Sequence, residues 1–512
     1  MRAIPLHEPL LKRLRPECNG REFISLPAVT RQKRFEILRF RRMQSPFPRI
    51  LIGAFRGGAG KTLVSLGLLA SWRSRGKGLS VFKKGPDYID AAWLSSAAST
   101  PCYNLDTYLM GEEGVLRSFE ARTGGCEVSL VEGNRGLFDG VDVDGQHSSA
   151  VLAKLLGLSV FLVVDCTKST RTVAALLKGC QVLDEEVTIQ GVILNQVSTP
   201  RHEAIVRSSV EKYCDIPVLG AIPRAKDLAF HERHLGLFPA QEHRAAEETI
   251  EAIRDLIERH VNVDALWDVA ERHCVALPNR CVELEQSGKD QVARPSRFPG
   301  IRVGVVRDRA FHFYYPENIE ALQDRGAEVV EVEASRDPVL PELDALYIGG
   351  GFPETQAREL ADNQSFKRSV HQAIEGGLPV YAECGGAIYL GKGLEWEGNV
   401  YPLVNIFPIV FGFHRKPQGH GYTLLEVEEE NPLFPKGTRL KGHEFHYAGM
   451  RHWEEAAVRF ACRVKRGYGF DGRREGLCYK NAYATFSHLH ALGESHWADH
   501  FLKRAANGTA GS

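Results

Sequence analysis

No two of the eleven cysteines in this 512-residue chain stand at CxxC spacing. Zinc-ribbon and thioredoxin-like chemistry therefore lacks its scaffold, and scattered single thiols point to a reducing, cytoplasmic setting. Net charge is also missing, since 64 Lys and Arg balance 64 Asp and Glu. That balance argues against a general nucleic-acid binder. No stretch approaches the ~18 apolar residues of a bilayer span, so no membrane partner is expected. The basic N-terminus has no apolar segment of the kind a secretory signal needs. Internal repeats and low-complexity tracts are absent too.

What is present is too long for one ordinary core, and two α/β domains are expected. Residues 1–48 are rich in Arg and Lys ("RQKRFEILRFRRM") and read as a disordered basic extension, with Met43 a candidate true start. From Arg49, the apolar runs "RILIGAF", "GLSVFKK", "EVSLVEG", "SVFLVVD", "GVILNQV" and "IPVLGAIP" alternate with helical patterns. That alternation predicts a parallel sheet with helices on both faces over 49–269. Residues 270–299 are polar and punctuated by proline, and read as a linker. A second series ("IRVGVVRD", "AEVVEV", "ALYIGGGFP", "LPVYAECGG") then predicts another α/β domain over 300–505, with 506–512 a tail.

In the first domain "IGAFRGGAGKTLVSL" follows a strand and opens a helix. Gly57, Gly58 and Gly60 let backbone N–H groups turn onto phosphate oxygens. Lys61 brings a point charge and the Thr62 hydroxyl suits Mg²⁺. This is P-loop chemistry, although Phe55 stands where the strict motif has its first glycine. Acidic residues then fall where strands end, at the ligand-binding edge of such sheets. Asp87 and Asp90 flank Tyr88, Asp106 follows, Glu132 closes "SLVEG" at a Walker-B-like position, and Asp139 lies in the next loop. Asn195, ending "GVILN", is placed to pair with a purine edge, or serves only as a turn residue.

In the second domain "VYAECGGAIYLG" runs from a strand through Cys384 into a helical pattern. This is a nucleophile-elbow pattern, in which the glycines permit the sharp turn and the helix start favours thiolate. The Gly385 N–H faces a developing oxyanion, with a second donor expected from the glycines after "YI", Gly350 and Gly351. A thiolate needs a base. His488 and His490 of "HLH", or His443, Glu444 and His446 of "GHEFHY", are the candidates.

With "GPDYID", "EGNRGLFDG", "GGGFPE", "AECGG", "GHEFHY" and "HLH" in this order, residues 49–505 resemble the cobyrinic acid a,c-diamide synthase family of ATP- and glutamine-dependent amidotransferases. The resemblance implies a dethiobiotin-synthetase-like ATPase domain followed by a class I-type glutaminase. It implies ATP and Mg²⁺, glutamine, a tetrapyrrole polycarboxylate as acceptor, and compatibility with a homodimer. By position it makes Cys384 the nucleophile and His488 its base. Tyr88, Asp90, Glu132 and Asp139 fall on the acceptor and phosphate side, with Asp106 and Glu132 as Mg²⁺ ligands beside Thr62. The acidic triad member of other class I glutaminases would fall at His490, so a weakly oriented base is expected. Phe313, Tyr314 and Tyr315 are set to lie against a flat macrocycle, or to pack in the core. Lys84 and the Asn134-Arg135 pair resemble variants thought to amidate sirohaem, which makes a sirohaem or nickel-sirohydrochlorin amidase the alternative. A partitioning-type ATPase with an inactive glutaminase domain is more remote, because Arg56 replaces that group's signature lysine.

Overall fold

The computed structural model describes residues 47–224, 246–274 and 297–509. Of the extension, linker and tail expected at 1–48, 270–299 and 506–512, residues 1–46, 275–296 and 510–512 lie outside the described residues, whereas 270–272 end the helix Val263–Arg272 and 506–509 end the helix Trp497–Thr509. Among those described, no helix is long and apolar enough to cross a membrane.

Strands β1 (Arg49–Ala54), β2 (Leu79–Lys84), β3 (Cys102–Leu105), β4 (Val128–Glu132), β5 (Ser159–Asp165), β6 (Ile189–Val197) and β7 (Val218–Pro223) form one seven-stranded sheet. Its order is β3-β2-β4-β1-β5-β6-β7, with every pairing parallel. β1 is buried along its whole length, as the continuous apolar run "RILIGA" requires when helices cover both faces. One core joins Ile50, Ile52 and Val163 to Trp72, Trp93 and Ile253, while the other face packs Leu51, Val131 and Leu162 on Phe119 and Leu177. The helices Lys61–Ser74 and Ala246–His260 meet closely at Gly67, where a Cβ would lie 2.1 Å from Ile257 Cγ1. β3 was not among the expected strands. "CYNL" is short and carries two polar residues, so apolar content gives little signal.

In the second half β8 (Arg302–Val306), β9 (Glu328–Val332), β10 (Ala345–Ile348) and β11 (Val380–Glu383) are parallel. A small sheet follows from β12 (Gly391–Trp396), β13 (Asn399–Pro402), β14 (Phe407–Phe413) and β17 (Ala448–His452), in the order β13-β12-β14-β17. β15 (Gly419–Val427), β16 (Arg439–His446), β18 (Phe460–Arg466), β19 (Arg474–Tyr479), β20 (Ala482–Thr485) and β21 (His488–Leu489) extend the parallel strands into a ten-stranded mixed sheet. Its order is β21-β16-β15-β18-β19-β20-β11-β10-β8-β9. β11 pairs in parallel with both β10 and β20, so the cysteine that ends it emerges between their loops.

Hydrogen bonds tie the two halves together. Tyr422 donates to Asp106 Oδ2 at 2.6 Å, Ser118 donates to Glu317 Oε1 at 2.9 Å and Tyr103 donates to Glu320 Oε1 at 2.6 Å. Tyr108 and Tyr422 stack with ring centroids 4.2 Å apart.

Candidate active site

β1 ends in the phosphate-type loop. Gly58 and Gly60 hold φ of 70° and 97°, and Gly60 starts the helix Lys61–Ser74. A side chain on Gly60 would collide with Asn195, because a Cβ there lies 2.3 Å from Nδ2. Asn195 is buried, donates Nδ2 to the Ala59 carbonyl at 2.9 Å and accepts from the Gln196 N–H. Its amide thus braces the loop, spending on the protein a donor and the oxygen expected to face a purine edge. Lys61 donates to the carbonyl of Arg135 at 2.9 Å. Burial and the neighbouring Lys83 hold its pKa below the usual lysine value.

Thr62 donates its hydroxyl to Glu132 Oε1 at 3.0 Å, joining the loop to the end of β4. Glu132 is fully buried, and its Oε2 meets no hydrogen-bond partner among the described residues. A buried carboxylate oxygen left over beside a threonine hydroxyl fits a divalent cation completed by phosphate and water oxygens. Asp106, expected in the same ligand set, is engaged elsewhere. Its Oδ1 caps the helix Thr107–Thr123 by accepting from the N–H groups of Tyr108 and Leu109, and its Oδ2 accepts from Tyr422.

Lys83 occupies the centre of this half, and sequence reasoning gave it no role. Its ammonium is buried and lies 2.6 Å from both Glu132 Oε1 and Asp90 Oδ2, and 3.6 Å from Asp87 Oδ2. Burial opposes its charge, but Asp90, Glu132 and Asp87 outweigh that cost and raise its pKa well above the ordinary lysine value. Asp87 caps the helix Tyr88–Ala98 by accepting from the Asp90 N–H, so cap and ion pair share one helical turn. The available signal was a lysine ending an apolar strand just before two acids, a placement that requires buried partners. Asp139 Oδ2 accepts from the Gly136 N–H at 2.9 Å and shapes the loop after β4.

In the second half Cys384 holds φ 48° and ψ −101°, a left-handed conformation costly for a residue with a Cβ. The turn is forced by packing: a Cβ on Gly386 would lie 2.4 Å from the Ile348 carbonyl oxygen. A Cβ on Gly385 would lie 3.0 Å from the Gly351 amide nitrogen, so the two glycine loops expected to form an oxyanion hole adjoin each other. The His488 ring lies against Gly350, where a Cβ would come within 2.4 Å of Cε1.

His488 meets Glu383 Oε2 through Nδ1 at 3.3 Å and shares the cavity with Cys384. Burial disfavours the imidazolium, but the contacts with Cys384 and Glu383 prevail and lift its pKa to about 10. Glu383 is itself held by the Tyr381 hydroxyl at 2.7 Å, the Tyr347 hydroxyl at 3.0 Å and the Leu489 N–H at 3.1 Å. The weak orientation expected from His490 is therefore corrected, because the residue before the cysteine supplies the acid. His490 does not share the cavity with His488. The strand ends at Leu489, and His490 Nε2 lies 3.5 Å from Glu317 Oε2 at the interface. His443 faces His488 across β16 and β21, and burial together with the charge on His488 pushes its pKa down to about 3. His446 is buried and turned to the Ala448 carbonyl, and Glu444 accepts from the N–H groups of Tyr468 and Gly469.

A cavity of about 610 Å³ lies between the halves. Cys384 and His488 line it from one side; Tyr88, Asp90, Asp139 and Arg135 line it from the other. The glycine-lysine-threonine turn does not line it, but Lys61 donates to the carbonyl of Arg135, which does. Tyr88 stacks on Phe313 with centroids 5.0 Å apart and planes 9° apart, and packs on His488 at 5.1 Å. Of the three aromatic residues expected against a macrocycle, Phe313 lines the cavity, whereas Tyr314 and Tyr315 are buried.

Residues 50–237 match the family model for the CobQ/CobB/MinD/ParA nucleotide binding domain, and residues 302–496 match that for the CobB/CobQ-like glutamine amidotransferase domain. The chain is 43% identical to the cobyrinate a,c-diamide synthase of Magnetococcus marinus, covering 89% of this chain and 97% of that one. It is 36% identical to the protein of the same name from Archaeoglobus fulgidus, covering 90% and 97%. A solved structure of PurLQS from Thermotoga maritima matches 40% of this chain and 98% of its own at 17% identity, with a TM-score of 0.31. On identity and coverage alike, the chain belongs to the cobyrinate a,c-diamide synthase family.

Proposed function

We propose that this chain is a glutamine-dependent amide-forming ligase that amidates the a- and c-acetate carboxylates of cobyrinic acid. The observation that carries the reading is the one cavity faced by Cys384 and His488 on one side and by Asp90 and Arg135 on the other.

In the glutaminase half, Cys384 attacks the side-chain amide of glutamine. His488, charged beside Cys384, gives its proton to the departing nitrogen and then takes one from the water that clears the thioester. Glu383 keeps the ring turned with Nε2 toward sulfur, as an orienting carboxylate does in Cys-His and Ser-His sites. The amides of Gly385 and of the Gly350-Gly351 loop are assigned to the oxyanion.

In the nucleotide half, Gly57, Gly58, Gly60 and Lys61 are set to cradle the phosphates, while Thr62 and Glu132 would hold Mg²⁺, which when bound would supply positive charge to the transferring phosphoryl group. ATP supplies the phosphoryl group that converts the acceptor carboxylate into an acyl phosphate. Lys83 fixes Asp90 and Glu132 in place, and Tyr88, Asp90 and Asp139 line the acceptor side. Ammonia released at Cys384 enters the same cavity and attacks the activated carbonyl. Arg135 and Lys84, both lining the cavity, suit a polycarboxylate acceptor.

Those same two cations favour the second reading, a sirohaem or nickel-sirohydrochlorin amidase. Mass spectrometry of products formed from ATP, glutamine and a panel of tetrapyrrole acids tests both. A diamide of cobyrinic acid is expected; amidation confined to sirohaem or nickel-sirohydrochlorin would replace the first reading with the second.

A further inference from the structure

The phosphate-type loop and the thiol lie in different halves, yet an unbroken run of contacts joins them. Thr62 donates to Glu132 at 3.0 Å. Glu132 shares Oε1 with Lys83, and Lys83 is bound equally closely by Asp90, both at 2.6 Å. Asp90 sits in the first turn of the helix Tyr88–Ala98, and that helix begins with Tyr88. The Tyr88 ring crosses the interface and packs on His488 at 5.1 Å, with Phe313 stacked on it and Tyr315 beside it at 4.8 Å. Its hydroxyl is buried beside that of Tyr315 without a well-formed hydrogen bond among the described residues, so the ring makes the larger part of its contact with the second half.

From this arrangement we infer that Tyr88 is a positioning residue through which occupation of the nucleotide site sets the reactivity of Cys384. A cation taken by Thr62 and the Oε2 of Glu132 would draw charge from that carboxylate and weaken its hold on Lys83. Lys83 then leans on Asp90 and Asp87, and the helical turn they begin moves with it. Tyr88 cannot shift without altering the wall against which the His488 ring is held. The charged groups around this lysine are Glu132, Asp87 and Asp90, with Lys61 of the phosphate-type loop facing the same cluster. The inference rests on the nucleotide and thiol assignments above, and not on the identity of the acceptor.

The test uses the full chain without any tetrapyrrole. The rate at which iodoacetamide labels Cys384 is followed by mass spectrometry of its peptide, with and without Mg²⁺ and a non-hydrolysable ATP analogue. Glutamine hydrolysis is measured under the same two conditions. In the wild type, nucleotide is expected to change both rates by about fivefold or more, the lower end of ordinary site–site coupling. Tyr88→Phe should keep that factor. Tyr88→Ala should reduce it below about twofold while still binding the analogue, a loss that separates coupling from simple misfolding. No nucleotide effect in a wild type that binds the analogue, or an undiminished effect in Tyr88→Ala, would overturn the inference. So would loss of the effect in Tyr88→Phe. Failure of the wild type to bind the analogue would overturn the nucleotide assignment itself.

Discussion

Glu383 and His488 are 105 positions apart in the chain and meet at 3.3 Å, with the carboxylate supplied by the residue that precedes the nucleophile. Acid and thiol thus leave the same strand on successive residues, and the base arrives from β21 to lie between them. Replacing Glu383 with Gln keeps the shape but removes the charge that fixes the ring. Glutamine hydrolysis is expected to fall by about 10²-fold or more, toward the loss seen when an orienting aspartate is neutralised elsewhere. Amidation driven by added ammonia should persist. Paired assays with the two nitrogen donors check this, and equal losses in both would refute the assignment.

The same contacts give a sign to the pH dependence. The His488 pKa is raised from 6.5 to about 10 in the folded protein. Its contribution to stability is therefore fully present below pH 6.5, where the unfolded chain also holds the proton, and is lost as pH rises through about 10. Thermal denaturation between pH 6.5 and 10 should show wild type losing stability faster than Glu383→Gln, whose imidazole is less strongly charged.

Separating the two chemistries gives a third prediction. Cys384→Ala should abolish glutamine-driven amidation and leave the ammonia-driven rate within about twofold of wild type, since the phosphate loop is untouched. Lys61→Ala should lower amidation with both donors by about 10²-fold, because its charge is needed where phosphoryl charge develops. Product formation with each donor is the measurement, and glutamine-driven amidation surviving in Cys384→Ala would remove the thiol from the mechanism.

Gly67 tests the packing beneath the site. Alanine in a helix interior is favoured over glycine by about 1 kcal/mol, but overfilling a tight contact costs about 1–3 kcal/mol. With Ile257 Cγ1 only 2.1 Å from the new Cβ, the second effect should win, and Gly67→Ala should lower the melting temperature. Adding Ile257→Ala opens the space and should recover part of the loss. Calorimetry of the single and double variants decides between the two effects.

Much of this site was legible in the sequence because its residues sit where strand patterns end. Gly60-Lys61-Thr62, Glu132 and Cys384 each follow or close an apolar run, and parallel pairing places each at the end of strands in its own sheet. Glu383 and Lys83 were missed for a common reason. Each is a charged residue at the end of a buried strand, and its partners come from segments distant in the chain. Asp106 and Asn195 have the right residue type at a strand end, but their side chains turn to the protein itself, one to cap a helix and meet Tyr422, the other to brace a loop. Of the two histidines of "HLH" named as candidate bases, only His488 lies on the strand, which stops at Leu489. The antiparallel strands after β14 were not anticipated, since their mixed polar and apolar residues resemble loop composition.

That sulfur and acceptor acids line one space has a kinetic consequence. Ammonia set free before the acceptor is seated meets water and becomes ammonium, which does not attack a carbonyl. Ammonia set free afterwards has an electrophile within the same enclosure. The sequence of loading, rather than any affinity for nitrogen, then governs how many amides each glutamine yields.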